Sequence, residues 1–481
     1  MSLTDAHGVR LSSSEPEAVA AYDRAVDHLV HFRADVVDAT EDSLRLDPDL
    51  AMAHVLRAYL GVWATEVDDA RAARDAFTRW RAGLDESSLT ATEHRHVAAA
   101  QLWLDGDLHG CAASLRTLTM HEPHDLVGLA LGHQLDFFTG DSATLRDRVG
   151  AALPAWSNQD PHYAQVLGMY SFGLEEAGHY DHSEDVGRAA VEHDPLDVWG
   201  IHAVVHTFEM QGRFGTGIDY LDRRTSDWGS GNFLNVHNWW HRCLYALETG
   251  DHARILRVYD DVLHNAESAC VAMEMLDAAA LLWRLHLEGE DQTARWQVLA
   301  EAWAPKVHEP YYAFNDMHAV MSFVGAGRMA DAERLVNDRS AWLAGPVPEN
   351  VTNVRMTERV GLPVCRSILA FGQGRYDDVV DTLMPIRYQL SFFGGSHAQR
   401  DAVQRTLLEA ALRAERLDEA SMLVNERISL KPCSPYNWLK HADLCELLGA
   451  TERAVAERSL VVDLAAAATD DDRAALVPVG T

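Results

Sequence analysis

No stretch of this chain approaches the roughly 18 consecutive apolar residues that a membrane span requires. Basic residues are scarce: 41 Lys+Arg stand against 73 Asp+Glu, for a formal net charge of −32. That deficit argues against phosphate-directed nucleic-acid binding and against attraction to anionic lipid. The six cysteines are Cys111, Cys243, Cys270, Cys365, Cys433 and Cys445, and no two are spaced as C-x₂-C. Zinc-finger and thioredoxin-type patterns are therefore absent, and a reduced, cytoplasmic protein is expected. The opening residues show no basic segment followed by an apolar one, so no secretory signal is expected. Strand signals are nearly missing, with no Asn-Gly hairpin turn between alternating apolar runs. The chain also lacks G-x-G-x-x-G, G-x-S-x-G and H-E-x-x-H, which removes the simplest nucleotide, nucleophile-elbow and metalloprotease readings.

What is present is a long periodic pattern. The chain has 481 residues, 47% of them apolar, enough for a large core. A glycine closes one apolar helical stretch after another, at positions 106, 140, 178, 212, 250, 289, 327 and 374. Degenerate or late copies of the turn fall at Glu415-Arg416 and Gly449-Ala450. The spacings are 34, 38, 34, 38, 39, 38 and 47, close to the tetratricopeptide period of about 34. Glycine suits the turn because the first helix must end in a left-handed residue. Asp47-Pro48, Glu122-Pro123, Asp194-Pro195 and Lys431-Pro432 mark the alternate boundaries, where proline ends one helix and precedes the next. The pattern predicts an all-α tetratricopeptide-like superhelix of about ten helix pairs. Residues 17–464 form one domain in this reading, 1–16 are partly ordered, and 465–481 are a frayed tail. The Gly-rich stretch from Phe393 to Ser396 reads as a loop.

Three polar runs interrupt the apolar pattern: HAVVHTFEMQGR (202–213), HNWWH (237–241) and GGSHAQRD (394–401). With them the sequence resembles the tetratricopeptide repeat protein 38 family over residues 15–460. It departs in having Ala402-Val403 after Arg400-Asp401, where the family has Val-Phe. The resemblance implies an α-solenoid and brings no settled reaction with it.

Histidine is frequent, 25 in all, and falls mostly on the first helix of each pair. By analogy with the fold, that helix lines the groove. His202 and His206 share a helical face at i, i+4, Glu209 follows on that face, and His237 and His241 repeat the spacing one pair later. Counted from the turn glycine, His241 and His318 both lie nine residues before it, while Asp277 and Asn315 both lie twelve before. A band of His, Asp, Asn and Trp should therefore cross consecutive repeats. Three readings compete. The histidines are structural hydrogen-bonding residues. Or they hold a divalent metal, which would fall to His202, His206, His237 and His241. Or they perform metal-free acid–base chemistry, with His241, His318 and Asp316 as the catalytic candidates. Ligand contacts would then come from His202, His206, Glu209, His237, Trp240, Asp277, Trp283, Asn315, His397, Gln399, Arg400 and Asp401, with Arg400 pairing a substrate carboxylate. No cofactor is expected. The reading adopted is a groove for a small polar or carboxylate-bearing ligand. The alternative is a non-catalytic scaffold that holds a partner peptide or helix. The sequence leaves the oligomeric state open.

Overall fold

The computed structural model describes residues 3–478. It is an all-α helical repeat in which an inner and an outer helix alternate along the chain. Among the described residues the only extended pairings are two isolated bridges, Thr4 with Arg10 and Arg33 with Asn232. No helix among them is long and apolar enough to cross a membrane.

Burial separates the two kinds of helix. The inner helix Val198–Gln211 buries every residue from Val198 to Glu209, whereas the outer helix Tyr180–His193 buries only Ser183, Gly187, Ala190 and Val191. A helix buried on all faces lies inside two layers of neighbours, and one buried on a single stripe forms the outer wall. The turn between them is as the sequence predicts. Gly212 takes φ 70° and Gly250 φ 76°, and the degenerate copy at Glu415 takes φ 54° without being glycine. A left-handed residue with a Cβ is strained by about 1–2 kcal/mol. Glu415→Gly should therefore raise the unfolding free energy by about 1 kcal/mol, read as a shift in urea midpoint at unchanged slope.

The superhelix closes on itself. Helix His397–Arg413 runs along the inside, with Ala398, Arg400, Ala402, Thr406 and most of its length buried. The His397 amide donates to Glu176 Oε1 at 2.8 Å, and the Trp283 indole donates to Thr406 Oγ1 at 2.8 Å. At the other end of the chain, Phe32 stacks on Trp199 with centroids 5.1 Å apart.

Both termini differ from the expected outline. Beyond residue 465 the chain forms a further helix, Asp470–Leu476. Asp470 accepts the amides of Gly215 and Thr216 at 3.0 Å, capping helix Phe214–Arg223. Arg473 beside it is 1% exposed. Residues 479–481 of the expected tail, like residues 1 and 2 at the start, lie outside the described residues. Near the N-terminus Leu11 is buried, and Ser12 gives both its amide and its hydroxyl to Glu93 at 2.9 Å.

Candidate functional site

Four histidines from two consecutive inner helices meet at one place. His202 and His206 come from Val198–Gln211, and His237 and His241 from Asn235–Thr249. One ring nitrogen from each lies within 4.8 Å of the others. His206 Nε2 and His241 Nε2 are 3.0 Å apart. The rings of His202 and His206 have centroids 4.4 Å apart, and those of His206 and His241 4.3 Å. His202, His206 and His241 are buried, while the His237 side chain keeps 15% exposure. Burial, reinforced by the neighbouring imidazoles, holds all three buried rings well below the ordinary histidine value, so they are neutral at pH 7.

Two carboxylates flank the cluster. Asp277 on helix Ala272–Leu287 takes His237 Nδ1 at 2.8 Å, which leaves His237 Nε2 for other partners. Glu175, fully buried at the end of helix Tyr163–Glu176, places Oε2 3.6 Å from His206 Nδ1. Burial, with Glu176 alongside, pushes the Glu175 carboxyl well up. Aromatic rings complete the wall: Trp240 stacks on His237 at 5.1 Å, and Trp199 lies 4.8 Å from His202. Beyond Trp199 a cavity of about 20 Å³, room for one water-sized group, is bounded by Phe32, Trp63, Gln134, Gln165 and Met169.

The remaining sequence candidates divide. Trp283 is buried beside the cluster's helices, with its indole spent on Thr406. His318 is buried, with Nδ1 on the Phe314 carbonyl at 2.8 Å and Nε2 free of any protein partner. Burial pushes it down to about 4. Asp316 does not orient His318. It is clamped by Arg339 through two bonds of 2.8 and 2.7 Å. Asn315 binds the Thr65 carbonyl at 2.9 Å, and Glu209 pairs with Lys431 at 2.8 Å instead of joining the histidines. His397 and Arg400 both address Glu176, and Arg400 also donates to the Gly395 carbonyl, so its fork is not free for a ligand. Gln399 closes a capping box with Ser396. Asp401 is held by Arg405 at 2.8 Å and Arg427 at 2.7 Å.

The comparisons add fold-level likeness only. No protein-family model matches this chain. Among solved structures it is similar to the human IFIT1 dimer with PPP-AAAA, at 13% identity and TM-score 0.41, over 95% of this chain and 96% of that one. It is also similar to yeast Tom70, at 12% identity and TM-score 0.28, over 95% of this chain and 87% of that one. A third likeness is the P58(IPK) TPR domain, at 11% identity and TM-score 0.21, over 80% of this chain and 96% of that one. The repeat assignment rests on the paired helices and left-handed turns described above.

The sequence reading missed Arg284 and Glu175. Glu175 was within reach, since it lies three residues before Gly178 as Glu209 does before Gly212. Arg284 sits beside Trp283 in an apolar helix and carries no such register mark. It is 1% exposed and gives Nη1 to the Ala280 carbonyl at 2.8 Å and Nη2 to the Ala398 carbonyl at 2.6 Å. Its guanidinium lies 5.5 Å from the Trp240 ring centroid. Among the described residues no carboxylate comes within 4.0 Å of it. Burial pushes its proton affinity down to about 10.

Proposed function

We propose that this helical-repeat protein binds a small carboxylate or other small oxyanion inside its closed superhelix, with Arg284 as the anchor. The observation that carries this reading is the buried guanidinium with two backbone acceptors and, among the described residues, no carboxylate within 4.0 Å, Asp401 and Glu209 acting on it only from farther off. An unpaired buried cation is costly, and an anionic ligand would pair it. Its immediate wall is Trp240 and Ala398, and its charge acts on His241 and His318. His318 Nε2, His241 Nδ1 and Trp240 Nε1 are buried without protein partners, so this region is rich in unspent polar atoms. Arg284 takes the carboxylate-pairing role expected of Arg400. Acid–base work by His318 would proceed without a carboxylate to orient it, because Asp316 belongs to Arg339. We extend the proposal to the family. The three runs that resemble the tetratricopeptide repeat protein 38 family, 202–213, 237–241 and 394–401, come from distant parts of the chain and meet around this interior.

A partner-binding role has one observation of its own. Val455 and Val462, seven residues apart on helix Thr451–Ala466, are 64% and 66% exposed. They offer an apolar stripe on the outer wall, not in the groove.

The test is Arg284→Met. Both carbonyls that Arg284 holds belong to helices whose own ladders use them, so methionine leaves no orphan there. The ligand-free variant should melt at the wild-type temperature or above, because a buried charge is gone. Its affinity for small mono- and dicarboxylates, read by calorimetry on chelator-treated protein, should fall about 10–100-fold, the worth of a charged hydrogen-bonding pair. A marked loss of stability with no effect on anions would make Arg284 purely structural.

A further inference from the structure

We infer that His202, His206, His237 and His241 form a binding site for one divalent transition-metal ion, tying two consecutive inner helices together. The inference goes beyond the anion reading and rests on the ring nitrogens of the four histidines, not on Arg284.

The geometry comes first. A tetrahedral ion with metal–nitrogen bonds of 2.0–2.1 Å sets its ligand nitrogens about 3.3 Å apart. His206 Nε2 and His241 Nε2 already stand 3.0 Å apart, and the four ligand nitrogens gather within 4.8 Å. A pair at the 4.8 Å limit would have to close by about 1.5 Å to reach that tetrahedral spacing.

The protein bonds point the same way. His202 has both ring nitrogens buried with no protein partner. A purely structural histidine in a core normally has at least one hydrogen bond. His206 and His241 face each other through Nε2, and their Nδ1 atoms have no hydrogen bond. His237 gives Nδ1 to Asp277, which fixes the ring and frees Nε2 toward the cluster. A carboxylate behind a ligating imidazole is the usual outer partner of a metal-bound histidine. Glu175 Oε2 lies 3.6 Å from His206 Nδ1, behind the ring but beyond hydrogen-bond reach. Asp277 also sets a carboxylate beside a divalent ion whose charge four neutral imidazoles cannot offset.

The donor set selects the ion class. Four nitrogens suit zinc, nickel, copper or cobalt and exclude calcium and magnesium, which demand oxygen. Four protein ligands leave no open position on a tetrahedral ion, so the ion is a structural tie. It joins Val198–Gln211 to Asn235–Thr249, consecutive inner helices that pack against each other. The partly exposed edge of His237 is the route of entry.

The experiment uses the full chain, stripped with a chelator and titrated with Co²⁺ alone, then with Zn²⁺. One Co²⁺ per chain should bind with the visible d–d bands of a four-coordinate nitrogen site, and Zn²⁺ should displace it. The His206→Ala/His241→Ala double variant should lose uptake. Asp277→Asn keeps all four ligands and should weaken affinity about 10–100-fold, with an unchanged circular dichroism spectrum. His202→Ala, a single truncation, keeps the test informative if the double variant fails to fold. Arg284→Met keeps all four ligands and should still take up one Co²⁺ per chain, with affinity unchanged or higher because a cation that acts on His241 is gone, so failure of the anion reading and failure of the metal reading show separately. No stoichiometric uptake by the wild type overturns the inference. So does uptake that is equal in wild type, Asp277→Asn and His202→Ala.

Discussion

Replacing Arg405 by alanine should remove about 3–5 kcal/mol of stability, the cost of breaking a buried ion pair from one side. Arg405 is 6% exposed and joins three helices. It gives Nη2 to Glu248 on Asn235–Thr249 at 2.8 Å and Nε to Asp401 on its own helix at 2.8 Å. Its guanidinium lies over Tyr436 at 3.9 Å from the ring centroid. Glu248 is drawn further into the joint by the Ser434 hydroxyl at 2.7 Å. Burial opposes the charge on Arg405, but Asp401 and Glu248 outweigh it and hold the arginine above its ordinary value. Alanine would leave Glu248 buried with only its Ser434 and Tyr436 donors, and Tyr436 without its cation. The urea midpoint should fall, and hydrogen exchange should rise first in Pro435–Leu447 and Thr451–Ala466, the pair that this joint fastens. The control is Arg375→Ala, because that residue pairs with Asp378 at an exposed site. Its loss should cost under about 1 kcal/mol. Equal effects of the two substitutions would mean that Arg405 does not fasten the closed form.

The second large effect is expected at Gly140. Its φ is +67°, and a Cβ built there would fall inside the contact shell of the Ser391 carbonyl, backbone that cannot swing aside. Gly178 occupies the equivalent turn two helices on, with φ +81° and nothing within 4 Å of the same Cβ. Alanine at Gly178 meets only the left-handed penalty of about 1–2 kcal/mol. Alanine at Gly140 adds overpacking, for a total of about 3–5 kcal/mol. The difference between the two variants in one denaturation series isolates the close approach of the 384–393 segment to the turn. Matching losses would place that segment farther from Gly140 than the structure has it.

The local grammar of the chain was legible because it is local. A glycine that ends a helix is marked in the sequence, and the i, i+4 spacing that put His202 with His206 and His237 with His241 on successive inner helices is just as local. His237 and Asp277 were expected in one band, and they meet at 2.8 Å. Asp316 failed as a partner for His318 for an equally local reason. Residues two apart on a helix point about 200° apart, so His318 turns inward while Asp316 turns to Arg339 on the next outer helix. Closure was not legible. The contacts that make it join Glu176 to His397 across 221 residues and Trp283 to Thr406 across 123, and no period connects them. Arg284 was invisible for that reason: its isolation from acids depends on which helix is inserted beside it. The helix Asp470–Leu476 was missed likewise, since its cap partner lies 255 residues away.

The most direct test of the central claim, an interior that holds a small anion on Arg284, is native mass spectrometry of the chelator-treated protein incubated with a small-carboxylate panel. Arg284→Met is run alongside. The account predicts one retained carboxylate per wild-type chain and none on the variant. A bare wild-type mass after every incubation, or the same adduct on Arg284→Met, would contradict it.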